Sequence, residues 1–442
     1  MDFKYLNLTV NILIFLIVSS ISIFFIFRLK NVNKGYKIFF ISYILFWIPL
    51  KLLRDYTSVI QNDIDKTIVW LPLMIYGLVG IFIRPLADFL SLRLKNRKLI
   101  LYMAIVLGIV TFIPIIIHQS TVTNTIQSIG VGIGASMIGT YELMFKEQYT
   151  KKASFLTVSI MAFPPLIADF VSAPIQSTIK LISIDNQSSS NWNYLAILWC
   201  IGIAFYIITF LVLYFTKEDR SLVGIIQQKS IEEKEPKSLT FFVLLCIVGF
   251  FVSFLKFSNS GSIATLTIGN LGKDYDKVVI TNLQAYISTV FSLFQLFGTV
   301  FLASFLIKKT NKLVAFSTGI LIWVIYQLII SFNNNPYVYF ALSAANGFAY
   351  GILYNLVLAY VLTLSFKKNK IAPMGVYQSI LSIGITISSF LISYLKTTLT
   401  TLENANMIIN LSLIAGMFIL QTSFFFVYRL DKKIFIENKK MA

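Results

Sequence analysis

The sequence predicts an all-α polytopic membrane protein built from two pseudo-symmetric six-helix bundles, a 12-helix core, with one extra N-terminal transmembrane helix ahead of them. Three observations carry this. Of the 442 residues, 57% are hydrophobic and only 13% charged, far too apolar for a water-soluble fold of this size. The apolar residues gather in long runs with short polar connections, and at ~20 residues per crossing the chain has room for roughly a dozen spans. Lysine and arginine collect on alternate connections, as they do when positive loops stay on one side of a bilayer.

In chain order the apolar runs cover about 8–27, 36–58, 68–90, 99–117, 125–145, 154–178 and 193–216, then about 238–257, 278–307, 313–332, 337–366, 374–395 and 407–428. The first run is unlike a cleaved signal, since most of its positive charges follow it, it is long, and no A-x-A-like site closes it; it reads as a retained helix. The stretch KEDRSLVGIIQQKSIEEKEPK from Lys217 is the longest polar interruption and splits the core six and six. The expected organisation is 1–35 extra helix and basic loop, 36–216 first bundle, 217–237 central loop, 238–428 second bundle and 429–442 basic tail. One set of alternate connections, the tail included, holds 27 Lys and Arg against 7 on the other side. That split puts the C-terminus in the cytoplasm and, with thirteen crossings, the N-terminus outside, in a multi-pass protein of the cell membrane; a monomer is one expectation, and the sequence leaves the oligomeric state open.

The net charge of +18 is thereby mostly a topology signal, with attraction to anionic lipid as a by-product and no nucleic-acid partner. Cys200 and Cys246 both lie inside apolar runs, which argues against a disulfide framework or a thiolate metal site. His118 is the only histidine, and no G-x-x-x-x-G-K-[ST] occurs. A membrane-embedded enzyme would need acids and histidines clustered at one face, so no catalytic role, cofactor or metal is expected. The expected partners are the bilayer and a small-molecule substrate.

Internal repeats support the two-bundle plan. FFISYILFWIPLKLLRD from Phe39 aligns with FFVLLCIVGFFVSFLKF from Phe241 at an offset of 202, which matches Arg54 with Lys256. The fourth run of each half carries a G-x-x-x-G, Gly130 to Gly134 and Gly347 to Gly351. Cationic loops follow the second run of both halves, RLKNRK from Arg93 and KKTNK from Lys308.

With these repeats in place, RPLADFLSLRLKNRKLI from Arg84 resembles the loop between core helices two and three of the major facilitator superfamily, where G-x-x-x-D-R-x-G-R-[RK] is usual. Asp88 matches the signature's acid and Arg93 its last basic position; Arg84 stands at its first glycine, and Arg97-Lys98 comes five residues later than its basic pair. IGVGIGAS from Ile129 is similar to the family's glycine-rich fourth helix, with Ser128 about where many proton-coupled members carry arginine, and MGVYQSILSIG from Met374 looks like its eleventh core helix. The resemblance, over about 36–430, implies a secondary transporter working by alternating access, with its site near the membrane middle.

Ionisable residues inside apolar runs are expensive and mark candidate sites. Lys51 and Arg54 share a helix face, Asp55 is placed four residues on to pair with Lys51, and Arg54 lies only ~24 Å along its helix from Ile38. One reading makes them snorkelling interface residues; the other has Arg54 and Lys256 facing each other across a central cavity to clamp an anion. The second resembles the family's organophosphate and phosphate antiporters, which implies a small organic anion such as a phosphorylated sugar or phosphate ester, moved by exchange. Arg84 and Asp88, and likewise Glu142 and Lys146, are spaced as helix-end pairs, with Arg84, Asp88, Arg97 and Lys98 forming a gating loop. Asp169, among Pro164, Pro165 and Pro174, is either a partner that neutralises a cation or a proton-coupling group, the latter fitting a proton-coupled transporter or drug exporter of neutral or cationic solutes. Tyr43, Trp47, Tyr350, Tyr354, Asn346, Asn355, Tyr377 and Gln378 are the polar-faced residues expected to line the cavity.

Overall fold

The computed structural model describes residues 9–17, 19–20, 34–149, 160–186, 195–223, 239–361, 373–398 and 405–441, and no strand occurs among them. Most of the first apolar run, of the central polar stretch and of the basic connections around Lys151 and Lys367 lies outside the described residues. The described helices of the first half are α1 (Lys34–Arg54), α2 (Thr57–Ile64), α3 (Trp70–Leu94), α4 (Arg97–Ile117), α5 (Thr121–Ser136), α6 (Ile138–Tyr149), α7 (Phe163–Asn186) and α8 (Ala196–Tyr214). Those of the second half are α9 (Leu239–Ser258), α10 (Ser262–Leu271), α11 (Lys277–Phe301), α12 (Lys312–Ser331), α13 (Pro336–Val361), α14 (Pro373–Thr398) and α15 (Ala405–Met441). A π-helical turn over Leu302–Leu306 and a further turn over Ile307–Lys309 prolong α11.

Nine of the described helices are long and apolar enough to cross a membrane. Helices α1, α5 and α7 are not among them. Their sequences hold Lys51 and Arg54, Asn124 and Gln127, and Asp169 and Gln176, polar side chains that they carry inward.

Side chains pack into two cores. One gathers residues from α1 to α8, with Trp199, Tyr206, Tyr141 and Phe112 fully buried; the other gathers α9 to α15 around Trp323, Tyr326 and Phe424. Two helix pairs join them: α3 against α14, and α7 against α11. At α3 the fit is backbone to backbone, because a Cβ on Gly77 would lie 2.7 Å from the Thr386 amide nitrogen.

The first helix of each half is broken at the matching place. Between α1 and α2 the chain turns at Asp55-Tyr56, and between α9 and α10 at Asn259 to Gly261. Gly261 has φ +59° and ψ −136°, a conformation open to glycine and closed to residues with a Cβ. Each break leaves backbone carbonyls without a helical partner, and side-chain amides supply the missing donors. Gln176 donates to the carbonyls of Lys51 and Leu52, both at 2.9 Å, and Asn124 donates to that of Thr57 at 3.3 Å. In the second half Asn346 donates to the carbonyl of Asn259 at 3.2 Å. The two breaks touch: the Ser262 hydroxyl donates to the Arg54 carbonyl oxygen.

The N-terminal helical segment over 9–17 docks on the α7/α11 seam. Buried Asn11 donates to Ser177 at 2.8 Å and accepts from the Tyr286 hydroxyl at 2.6 Å, and Ser177 donates to Asn282 at 2.5 Å.

The two G-x-x-x-G motifs are built differently. Side chains added at Gly347 and Gly351 would collide with the carbonyl oxygens of Phe291 and Gln295 on α11, whereas at Gly134 the obstacles are the side chains of Leu50 and Tyr206. Backbone cannot step aside as a leucine can. Gly351→Ala is therefore expected to destabilise the protein by about 1–3 kcal/mol, and Gly134→Ala by clearly less, read as thermal unfolding of the purified protein in detergent; equal shifts would contradict the packing described.

Candidate functional site

A cavity of about 100 Å³ lies where α1, α6, α7, α9, α11 and α13 converge. Its charged lining is Lys51, Arg54, Lys256 and Glu142, with Trp47, Tyr350, Tyr354, Asn355, Ser292 and Gln295 completing the polar part. Lys51 and Arg54 come from the last turn of α1 and Lys256 from the last turn of α9, so the two helix breaks place them in the wall.

Each cation is held differently. Lys51 donates to Asp169 Oδ2 at 2.6 Å, and the Ser292 hydroxyl donates to that same oxygen. Asp169 is 3% exposed, so this pair stands away from water and ties α1, α7 and α11 together. Arg54 Nε donates to Asp55 at 2.9 Å. Among the described residues no carboxylate pairs with Lys256; its ammonium sits over the Tyr350 ring at 4.2 Å and over Phe257 at 4.9 Å. Aromatic faces stabilise a cation and leave its charge uncancelled.

Three further polar groups on this wall lack partners. Trp47 Nε1 and Asn355 Nδ2 are buried donors with no acceptor, and Glu142 Oε2 is a buried acceptor with no donor. Buried polar groups without partners are uncommon, and around a cavity they are the positions a ligand would satisfy.

Six of the residues expected to bind substrate thus line one cavity: Arg54, Lys256, Lys51, Trp47, Tyr350 and Asn355, joined by Tyr354. Others lie elsewhere. Tyr43 is stacked on Tyr141 with centroids 4.2 Å apart, and Tyr377 is packed on Gly249, both fully buried. Gln378 accepts from Arg84, and Asn346 is engaged by Trp323 Nε1 at 2.6 Å.

The expected ion pairs are exchanged for longer-range ones. Lys51 takes Asp169 in place of Asp55, because Asp55 sits in the helix break and turns to its neighbour Arg54. Arg84 passes over Asp88 and donates to the Gln378 carbonyl at 2.8 Å and side chain at 2.9 Å, linking α3 to α14. Asp88 instead accepts from Arg97 at 3.3 Å, and Arg97 grips Glu147 at 2.6 and 2.8 Å. Lys98 donates to the carbonyls of Tyr214 and Thr216. Glu218 receives the backbone amides of Arg97 and Lys98 at the start of α4, and its partial burial pushes its carboxyl up. Glu142 turns to the cavity and makes no ion pair with Lys146. Ser292 and Gln295 were not singled out by sequence, since a hydroxyl and an amide in an apolar run carry no charge signal.

Residues 245–440 match the family model described as Major Facilitator Superfamily. Over that stretch the chain is similar to the family. Its fold agrees over nearly the whole length with the crystal structure of the human organic anion transporter MFSD10 (TETRAN), at a TM-score of 0.59 and 12% identity, covering 90% of this chain and 99% of that one. No curated protein matches the sequence. The match over the second half, the shared fold and nine described helices long and apolar enough to cross a bilayer agree with a multi-pass membrane protein.

Removing one member of a buried ion pair leaves the other charged and unpaired. Asp169→Asn is expected to destabilise the protein by about 3–5 kcal/mol, with much of the loss recovered in the double variant Lys51→Met/Asp169→Leu; thermal unfolding in detergent checks both. A double variant no more stable than Asp169→Asn would mean that the pair does not act as a unit.

Proposed function

We propose that the protein is a secondary active transporter of a small organic anion, bound in the charged cavity and moved by exchange through alternating access. The observation that carries this reading is the set of groups around one cavity that an acid would answer: Lys256, which pairs with no carboxylate among the described residues, and the unpartnered buried donors Trp47 Nε1 and Asn355 Nδ2. An oxyanion bound there would take a charge-assisted hydrogen bond from the ammonium and neutral ones from the indole and the amide. Arg54, bonded through Nε, adds positive charge to the same wall. A cavity of about 100 Å³ suits an acid group with its water, and is small beside the ~300–1,000 Å³ of drug-sized sites. The rest of a larger solute would need the bundles to rock apart.

Exchange follows from electrostatics. With Lys51 paired to Asp169 and Arg54 to Asp55, Lys256 is the lining cation left without a carboxylate among the described residues, and a bound anion neutralises it, so reorientation is easier loaded than empty. Asp169 supports this reading as the partner of Lys51, and that bond makes it a poor candidate for a freely exchanging proton site. The neighbour MFSD10 is titled an organic anion transporter, which favours the same solute class. The two bundles 36–216 and 238–428 would be the rocking bodies, in a cell membrane with the basic loops and the C-terminus in the cytoplasm.

The test is counterflow into proteoliposomes preloaded with phosphate, a sugar phosphate or a neutral sugar. Anion counterflow is expected in the wild type and at least about tenfold less in Lys256→Gln, the effect of losing one charge-assisted contact. Normal anion counterflow in Lys256→Gln and Arg54→Gln, or counterflow of neutral sugar alone, would overturn the proposal.

A further inference from the structure

The unsatisfied groups of the cavity are not all of one sign. The same cavity is lined by Glu142, on α6, 5% exposed, with Oε2 unpartnered. The charges that line the wall divide into two self-contained pairs, Lys51 with Asp169 and Arg54 with Asp55, and two groups left over, Lys256 and Glu142. Arg84 commits its Nη1 to Gln378, and among the described residues it forms no ion pair with the Glu142 carboxylate. Lys256 lies on α9 and Glu142 on α6, so the two leftover groups come from different halves of the chain.

A purely anionic solute would answer only the donors. It would leave Glu142 buried, without a donor, in the same small space as the added negative charge, an arrangement that costs free energy twice, through repulsion and through the unmade hydrogen bond. A solute carrying an acid group at one end and a protonated amine at the other would satisfy both.

We infer that the cavity selects an amphoteric solute, with its acid group on Lys256, Trp47 and Asn355 and its ammonium group on Glu142. This rests on the anion reading above and narrows it to amino acids that end in a carboxylate, phosphonate or phosphate. Glu142 is then a specificity-determining residue; the ammonium pole rests on the first bundle, and the acid pole on Lys256 and Asn355 of the second with Trp47 of the first. Binding of the full solute draws α6 and α9 together in a way that neither pole alone can, which couples recognition to closure of the site.

The test compares matched probes that differ only in the amine: ethylphosphonate against 2-aminoethylphosphonate, and propionate against β-alanine. Binding to the purified full chain is read as ligand-induced thermal stabilisation across a concentration series, at two pH values. In the wild type the amine-bearing member of each pair is expected to bind about tenfold more tightly, the value of one charge-assisted contact. Glu142→Gln is expected to abolish that preference while the acid-only probes still bind, and Lys256→Gln to weaken both members. The inference is overturned if wild type binds the acid-only probes as well as the amine-bearing ones. It is equally overturned if acid-only binding strengthens on acidification in wild type and loses that dependence in Glu142→Gln, because Glu142 would then be taking a proton. Failure of the anion reading is distinguishable: no acid-bearing probe would bind, or all would bind alike in wild type and Lys256→Gln.

Discussion

The buried bond between Lys51 and Asp169 is the constraint on which the rest of the site depends. It joins α1 to α7, and the Ser292 hydroxyl on the same carboxylate oxygen brings in α11 from the other half. Charges that far from water persist only when paired and hydrogen-bonded, so these three helices must converge to within hydrogen-bond reach. Once they do, the end of α1 is fixed and Arg54 falls in the cavity wall. Its neighbour Asp55, left in the helix break, becomes the natural partner for it. The matching break in the second half delivers Lys256 to the same space, where among the described residues no carboxylate forms an ion pair with it. The uncommitted cation of the cavity is thus a consequence of which cations found carboxylates and which did not.

The breaks themselves are stabilised by a repeated solution. In each half a carbonyl freed at the break is met by a side-chain amide, Gln176 in the first and Asn346 in the second, and Asn346 is held in turn by the Trp323 indole. Polar residues that look like cavity candidates in sequence are in part this internal scaffolding. Asn346 is the clearest case. Its occupation with Trp323 and the Asn259 carbonyl leaves the cavity to Asn355, two and a half turns further along the same helix.

The fold was legible because its cause is compositional: apolar runs, alternating basic loops and an offset of 202 between halves are all one-dimensional signals. The site was legible in its charges, since an intramembrane lysine or arginine stands out against leucine and phenylalanine. Partner choice was not. Spacing of four suggested Lys51 with Asp55, Arg84 with Asp88 and Glu142 with Lys146, but a helix presents its i+4 neighbour only while it remains a helix, and tertiary partners outbid local ones in a bundle this tight. Asp55 lies in a break, Arg84 finds Gln378 on α14, and Asp88 is claimed by Arg97 from the next helix. Ser292, which completes the central ion pair, gave no sequence signal because hydroxyls are common in apolar helices.

The claim most directly at stake is that an acid-bearing solute occupies this cavity. Gln295 lines it without making any of the ion pairs, so Gln295→Cys, in a background where Cys200 and Cys246 are replaced by serine, places a reporter thiol in the wall without touching the charges. The account predicts that a small thiol reagent labels this cysteine and that 2-aminoethylphosphonate or phosphate slows the labelling in a concentration-dependent way, with a neutral sugar having no effect. Labelling that proceeds at one rate whatever acid is present would contradict it.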